Sequence, residues 1–171
     1  MTESIQLKIT HLDEYEALYP LFQDEEIVKY TNFQKFDQIE NFKSFLNKFL
    51  LIGKGEPIQF GPYSIYQNNQ LIGLCGMQQI NLDEGISELW YLLNVSSWGK
   101  GIAKKTVKIL ILKGKENQKL KSICAEALSI NIASWKVLKH VGFEEIEEIK
   151  NGFKKGIIIE DLKKYKLNLS D

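Results

Sequence analysis

The chain has 171 residues, 44% hydrophobic and 26% charged, with 22 basic residues, all lysine, against 22 acidic ones. Length and composition describe a globular domain over 1–171 with room for a sizeable core, and exclude a disordered or membrane-embedded chain. The zero net charge argues against a nucleic-acid partner.

The neutral sum conceals an asymmetry. Residues 1–60 carry 6 lysines against 10 acids (net −4), and 61–99 carry none against 3 (net −3). Residues 100–139 carry 10 lysines against only Glu116 and Glu126 (net +8), and 140–171 carry 6 against 7 (net −1). A basic middle suits an anionic partner, although a solvated lysine face has the same composition. With no arginine, an anion there is held by backbone amides and ammonium point charges, not by a guanidinium fork.

In chain order, Ile5–Ile9 alternates as a strand, and Thr10 is placed to cap a helix reaching Phe22, with Leu12, Tyr15, Leu18 and Tyr19 on one side. Asp24 is a cap for a short helix over 25–30. Asp37 and Glu40 have capping-box spacing ahead of a helix whose stripe is Phe42, Phe45, Leu46, Phe49 and Leu50. Residues 58–66 and 70–79, joined by Asn68-Asn69, predict a hairpin, and Asp83-Glu84-Gly85 turns into a further strand over 86–94. Gly99-Lys100-Gly101 opens a helix to about Lys115, with Ile102, Val107, Leu110 and Ile111 at helical spacing. Ser122–Leu128 is a buried strand. Asn131 caps a helix through Val141, stopped by Gly142. Residues 143–150 and 153–159 predict a last hairpin, turning at Asn151-Gly152. The plan is mixed α/β.

Cys75 and Cys124 sit in apolar runs as small buried hydrophobes, and no His/Cys spacing suggests a metal. Residues 1–10 lack a leader pattern and no apolar run approaches membrane-spanning length, so the expectation is a cytoplasmic protein without a membrane partner.

The chemistry concentrates between Trp90 and Thr106: strand, glycine turn, then a lysine-bearing helix start. Glycines at 99 and 101 let backbone amides converge without Cβ obstruction, and the helix dipole adds positive potential, an arrangement that binds phosphate or pyrophosphate. Lys104 stands where both a dinucleotide fingerprint and a P-loop require glycine, which argues against a nucleotide-binding protein.

Together, Trp98-Gly99-Lys100-Gly101-Ile102-Ala103 and, some 30 residues on, Asn131-x-x-Ser134-x-x-Val137-Leu138-x-x-x-Gly142-Phe143 resemble the GNAT superfamily of N-acetyltransferases. Within it they are most similar to the ribosomal-protein-alanine N-acetyltransferase-like branch. Glu88-Leu89-Trp90-Tyr91 resembles that branch's acidic strand motif. Trp98 departs from the wider superfamily's Gln or Arg, and helix 131–141 lacks the usual tyrosine acid.

The resemblance implies a mostly antiparallel mixed sheet flanked by helices, with the fourth and fifth strands splayed. It implies acetyl-CoA as cosubstrate, with the backbone of Tyr91, Leu92, Leu93, Asn94 and Val95 pairing with the pantetheine arm. Trp98, Gly99, Lys100, Gly101, Ile102, Ala103 and Lys104 would hold the pyrophosphate, and Asn131 and Ser134 the thiol end. Direct acetyl transfer to a primary amine, a peptide N-terminus or a small cationic molecule, needs a base and an acid, for which Glu88 and Ser134 are the candidates. A backbone amide near Leu93 would polarise the acetyl carbonyl. Tyr30, Phe33 and Phe36 fall on the family's substrate-side loop or are simply core, while His11, in the first helix, and His140, on a helix surface, have no catalytic role. The assembly implied is a monomer or homodimer. The alternative is a non-catalytic acetyl-CoA-binding module that keeps the turn and has lost the acid and base.

Overall fold

A computed structural model describes residues 4–169. Strand β1 is Ile5–Ile9, followed by a 3-10 turn at Leu12–Glu14 and helices α1 (Tyr15–Gln23), α2 (Glu25–Val28) and α3 (Ile39–Phe49). The meander β2 (Phe60–Gln67), β3 (Gln70–Asn81) and β4 (Ile86–Leu93) leads through α4 (Ile102–Lys115), β5 (Ser122–Leu128) and α5 (Ile132–His140) to β6 (Glu144–Lys155) and β7 (Ile158–Asn168). One seven-stranded sheet results, in the order β1-β2-β3-β4-β5-β7-β6. Every neighbouring pair is antiparallel except β4 and β5.

The sheet has a layer of helices on each face, and alternation along β4 shows why. Leu89 and Leu93 enter the core beneath α4 and α5, with Ile102, Val107, Leu110, Ile123 and Leu138. Leu92, with Trp90 against it, joins the core of α1–α3. That second core is aromatic. Phe22 packs on Phe33, Phe36, Phe42 and Phe45, with centroids 4.8–6.3 Å apart. Phe42, Phe45, Leu46 and Phe49 supply it from one stripe of α3, as their spacing predicts.

The caps depart from expectation at two helices. The Thr10 hydroxyl is shared with Ser64 (3.0 Å) rather than spent on a helix end, and Glu14 closes the turn by accepting from the His11 amide (2.7 Å). Helix α3 begins after Gln38 with no side-chain cap, and Asp37 faces Lys35 instead. Asp24 does cap α2, accepting from the Glu26 amide at 2.9 Å.

The last hairpin turns five residues later than predicted. Lys155 pairs with Ile158 across Gly156-Ile157, and β7 continues to Asn168. Asn151 is in the left-handed region (φ +53°), but within a bulge where 150–152 oppose Asp161 alone. Asp161 accepts from the Asn151 amide (2.9 Å) and from Lys150 Nζ (2.6 Å). An Asn-Gly pair suits a bulge as well as a turn. Register decides between them: in the observed pairing Phe153 and Tyr165 are buried, at 7% and 0% exposure.

Candidate functional site

Strands β4 and β5 pair only at Ile86–Ser122, Ser87–Ile123 and Glu88–Cys124. Beyond Glu88 they part, and the parting opens a cleft with one free edge of β4. The Asn94 amide donates to the Ile72 carbonyl on the β3 side (2.9 Å). Alternation therefore turns the backbone of Leu92 and Asn94 toward β3, and that of Tyr91 and Leu93 toward the cleft. The Leu93 carbonyl on that edge accepts from the Trp98 indole at 3.0 Å. Val95 lies past the strand, in the 3-10 turn Val95–Ser97.

At the end of this edge the chain turns through Gly99 (φ +71°) and Gly101 (φ +73°), conformations that L-residues rarely adopt. A Cβ at either position would point into open space. Gly101 starts α4 with no side-chain cap, so the first-turn amides, from Ile102 through Lys104, present their donors outward. Lys104 Nζ lies 3.3 Å from His140 Nε2 at the C-terminal end of α5. Sequence placed His140 on a helix surface without a role; folding sets it beside the glycine turn. Among the described residues, Lys139 alone of the ten lysines in 100–139 pairs with a carboxylate. The basic segment is thus free to meet an anion. An uncapped helix start, two open glycines and uncompensated lysines fit a pyrophosphate well.

Asn131 Oδ1 accepts from the Ser134 amide (3.2 Å) and so caps α5. Ser134 Oγ lies 3.2 Å from the Tyr91 hydroxyl. What the sequence did not reveal is the Tyr91 hydroxyl's contact with Ser134. The signal was the place of Tyr91 on the cleft side of a strand, visible only once α5 is docked against that face. Burial raises the Tyr91 pKa, opposed by the Ser134 hydrogen bond, and keeps the phenol protonated at neutral pH.

Glu88 alternates with Trp90 onto the α1–α3 face, so the structure does not bring it onto the Ser134 face of the sheet. It stands where the strands part, near Gln78 Nε2 (3.5 Å). Burial and the nearby Glu126 carboxylate push its pKa up; Gln78 and Lys164 act against them. A half-buried carboxylate with a raised pKa, placed at the root of a cleft, is suited to taking a proton. Cys124, its register partner on β5, is also raised by burial and is partly exposed. Of the substrate-side loop, Phe33 and Phe36 belong to the aromatic core, and Tyr30 lies under Lys29 Nζ at 4.8 Å. Among the described residues no group of three or more His, Cys, Asp or Glu could hold a metal, and no helix is long and apolar enough to cross a membrane.

Comparison with known proteins agrees with this geometry. The family profile for the acetyltransferase (GNAT) domain matches residues 6–144. A relative from Bacillus licheniformis, described as an uncharacterized N-acetyltransferase, p20, is 27% identical over 147 residues, covering 84% of this chain and 81% of its own. The microcin C7 self-immunity acetyltransferase MccE, solved with acetyl-CoA and AMP, superposes with a TM-score of 0.85 at 19% identity, over 98% of this chain and 93% of its own. An acetyltransferase from Salmonella typhimurium that modifies the N-terminal serine of ribosomal protein L7/L12 gives 0.82 at 19% identity, over 98% and 96%. At such identities these two structures establish the shared fold. Matched over most of its length by the family profile, the chain belongs to the GNAT family of acetyltransferases.

Proposed function

We propose that this chain moves an acetyl group from acetyl-CoA to a primary amine by direct transfer. The observation that carries the reading is the parting of β4 from β5 at Glu88, with an uncapped α4 start at the end of the freed edge. Acetyl-CoA, when bound, supplies the acetyl group as an activated thioester. The Gly99–Gly101 turn, the first α4 amides and Lys104 bind its pyrophosphate, while the Leu93 backbone pairs with the pantetheine arm. The Leu93 amide, aimed at the cleft, polarises the acetyl carbonyl.

The amine arrives as an ammonium and must lose a proton before it attacks. Glu88 takes it, directly or through water, and its raised pKa brings it closer to the proton it must hold. The departing sulfur needs a proton in return. Ser134 Oγ gives it and recovers a proton from water as the products leave, while the Tyr91 phenol, within hydrogen-bond distance of Oγ, orients that hydroxyl. The acceptor class on this reading is a protein N-terminus or a small cationic amine: among the structural relatives, one modifies the N-terminal serine of L7/L12 and another, from Vibrio cholerae, is a spermidine N-acetyltransferase. The acidic segments 1–60 and 61–99 suit a cation.

Thiol release from acetyl-CoA is to be measured over a panel: peptides with N-terminal Ser or Ala, a lysine peptide, spermidine and an aminoglycoside. At least one amine should turn over, and Glu88→Gln and Ser134→Ala should each slow it. Tight acetyl-CoA binding with no turnover on any amine identifies a non-catalytic module instead. Turnover unchanged in both variants sinks the assignment of base and acid.

A further inference from the structure

Lys155, the last residue of β6, sends its ammonium across to a segment more than 120 positions earlier. Nζ donates to the carbonyls of Val28 (2.7 Å), Thr31 (3.0 Å) and Phe33. An ammonium has three donors, and all three go to the backbone of one loop. Among the described residues Lys155 has no salt bridge of its own. Burial lowers its pKa, with only the distant pull of Glu25 opposing.

The loop it grips is tightly organised. The Val28 carbonyl also accepts from the Thr31 amide (3.0 Å) and hydroxyl (2.9 Å), and Thr31 Oγ1 accepts from the Phe33 amide (3.1 Å). Phe33 then meets Trp90 edge-on, centroids 5.4 Å apart. Trp90 is two residues past Glu88 on the same face of β4. An ammonium bonded to carbonyls fixes backbone rather than side chains. It therefore sets where Phe33 stands relative to Trp90, and so the wall beside Glu88.

We propose that Lys155 is a positioning residue for the acceptor amine: a latch from the β6–β7 hairpin that holds loop 28–33 as the acceptor-side wall. The inference rests on the reading of Glu88 as the base. It explains why a lysine without a carboxylate partner stands at the hairpin tip, where its ammonium reaches backbone carbonyls.

Two variants test it. Lys155→Met keeps the length of the side chain and removes every donor; Lys155→Arg keeps the donors. KM is measured for acetyl-CoA and for the fastest amine of the panel, with hydrogen exchange at the Thr31 and Phe33 amides. Lys155→Met should raise the amine KM roughly tenfold and leave the acetyl-CoA KM unchanged. It should also speed exchange at both amides, and Lys155→Arg should restore both properties. Unchanged exchange in Lys155→Met, or an acetyl-CoA KM rising with the amine KM, overturns the proposal. If the wild type acetylates no amine, the acceptor role falls with the proposed function, and the exchange measurement still decides whether the latch exists.

Discussion

As the proposed base, Glu88 sets stability against reactivity. Its native pKa is raised, so the folded state holds the proton more tightly than the unfolded chain does. The stability it contributes is complete below the ordinary carboxylate range and is lost as pH rises through the raised native value. Glu88→Gln removes that loss. At pH 7 its melting temperature should match or exceed wild type, while kcat/KM falls by about a hundredfold or more. Wild-type kcat/KM should rise with pH through the raised Glu88 value, and that acid limb should vanish in the Gln variant. Tyr91 and Ser134 form a second unit at the opposite face of the same strand. Ser134→Ala should lower kcat more than Tyr91→Phe, which should cost about tenfold with acetyl-CoA affinity unchanged. The double variant should resemble Ser134→Ala alone, because the phenol acts through the serine hydroxyl. Kinetics of the three variants checks this; additive losses would separate the pair. Ser134 could be picked from its place in the Asn131 helix, whereas Tyr91 could not, because a hydrogen bond between residues 43 positions apart has no local pattern.

Among the elements, the glycine turn and the last hairpin show opposite relations between pattern and outcome. The turn is local: positive φ at two glycines and an uncapped helix start are properties of a few consecutive residues, and their spacing predicts them. Gly101→Ala puts a Cβ on a left-handed residue and into the space before the α4 amides. It should cost about 1–2 kcal/mol of stability and weaken acetyl-CoA binding by more than a distant substitution of equal cost, as calorimetry would show. The hairpin is not local. Asn151 adopts the left-handed conformation its type favours, but whether that makes a turn or a bulge depends on which residues of β7 stand opposite. The alternation of β7 is blurred by lysines at 163, 164 and 166, so the sequence shows no clear strand there. Likewise Thr10 and Asp37 have capping chemistry and are used elsewhere, because tertiary partners compete for the same side chains.

Across the whole molecule, the sheet separates two cores and two jobs. The aliphatic core beneath α4 and α5 supports the glycine turn, proposed to hold the cofactor, and the aromatic core beneath α1–α3 supports the wall around Trp90. Phe42 is fully buried and contacts Tyr19, Phe22, Phe36 and Phe45. Phe42→Ala should destabilise the protein by about 3–5 kcal/mol, measured by urea unfolding, with acetyl-CoA affinity retained below the lowered transition. A loss of affinity equal to that of Gly101→Ala would show that the two layers are not separable.

By itself the sequence determined the mixed α/β plan, the glycine turn before α4 and the basic segment that begins on it, because periodicity, glycine placement and charge are properties of neighbours along the chain. Only the tertiary structure decided that β4 and β5 part at Glu88, that Tyr91 reaches Ser134, that His140 stands beside Lys104, and that Lys155 grips loop 28–33. Each of those joins residues far apart in sequence. Their partners are chosen by the register and packing of the whole sheet, where burial of a distant tyrosine or phenylalanine outweighs any local preference.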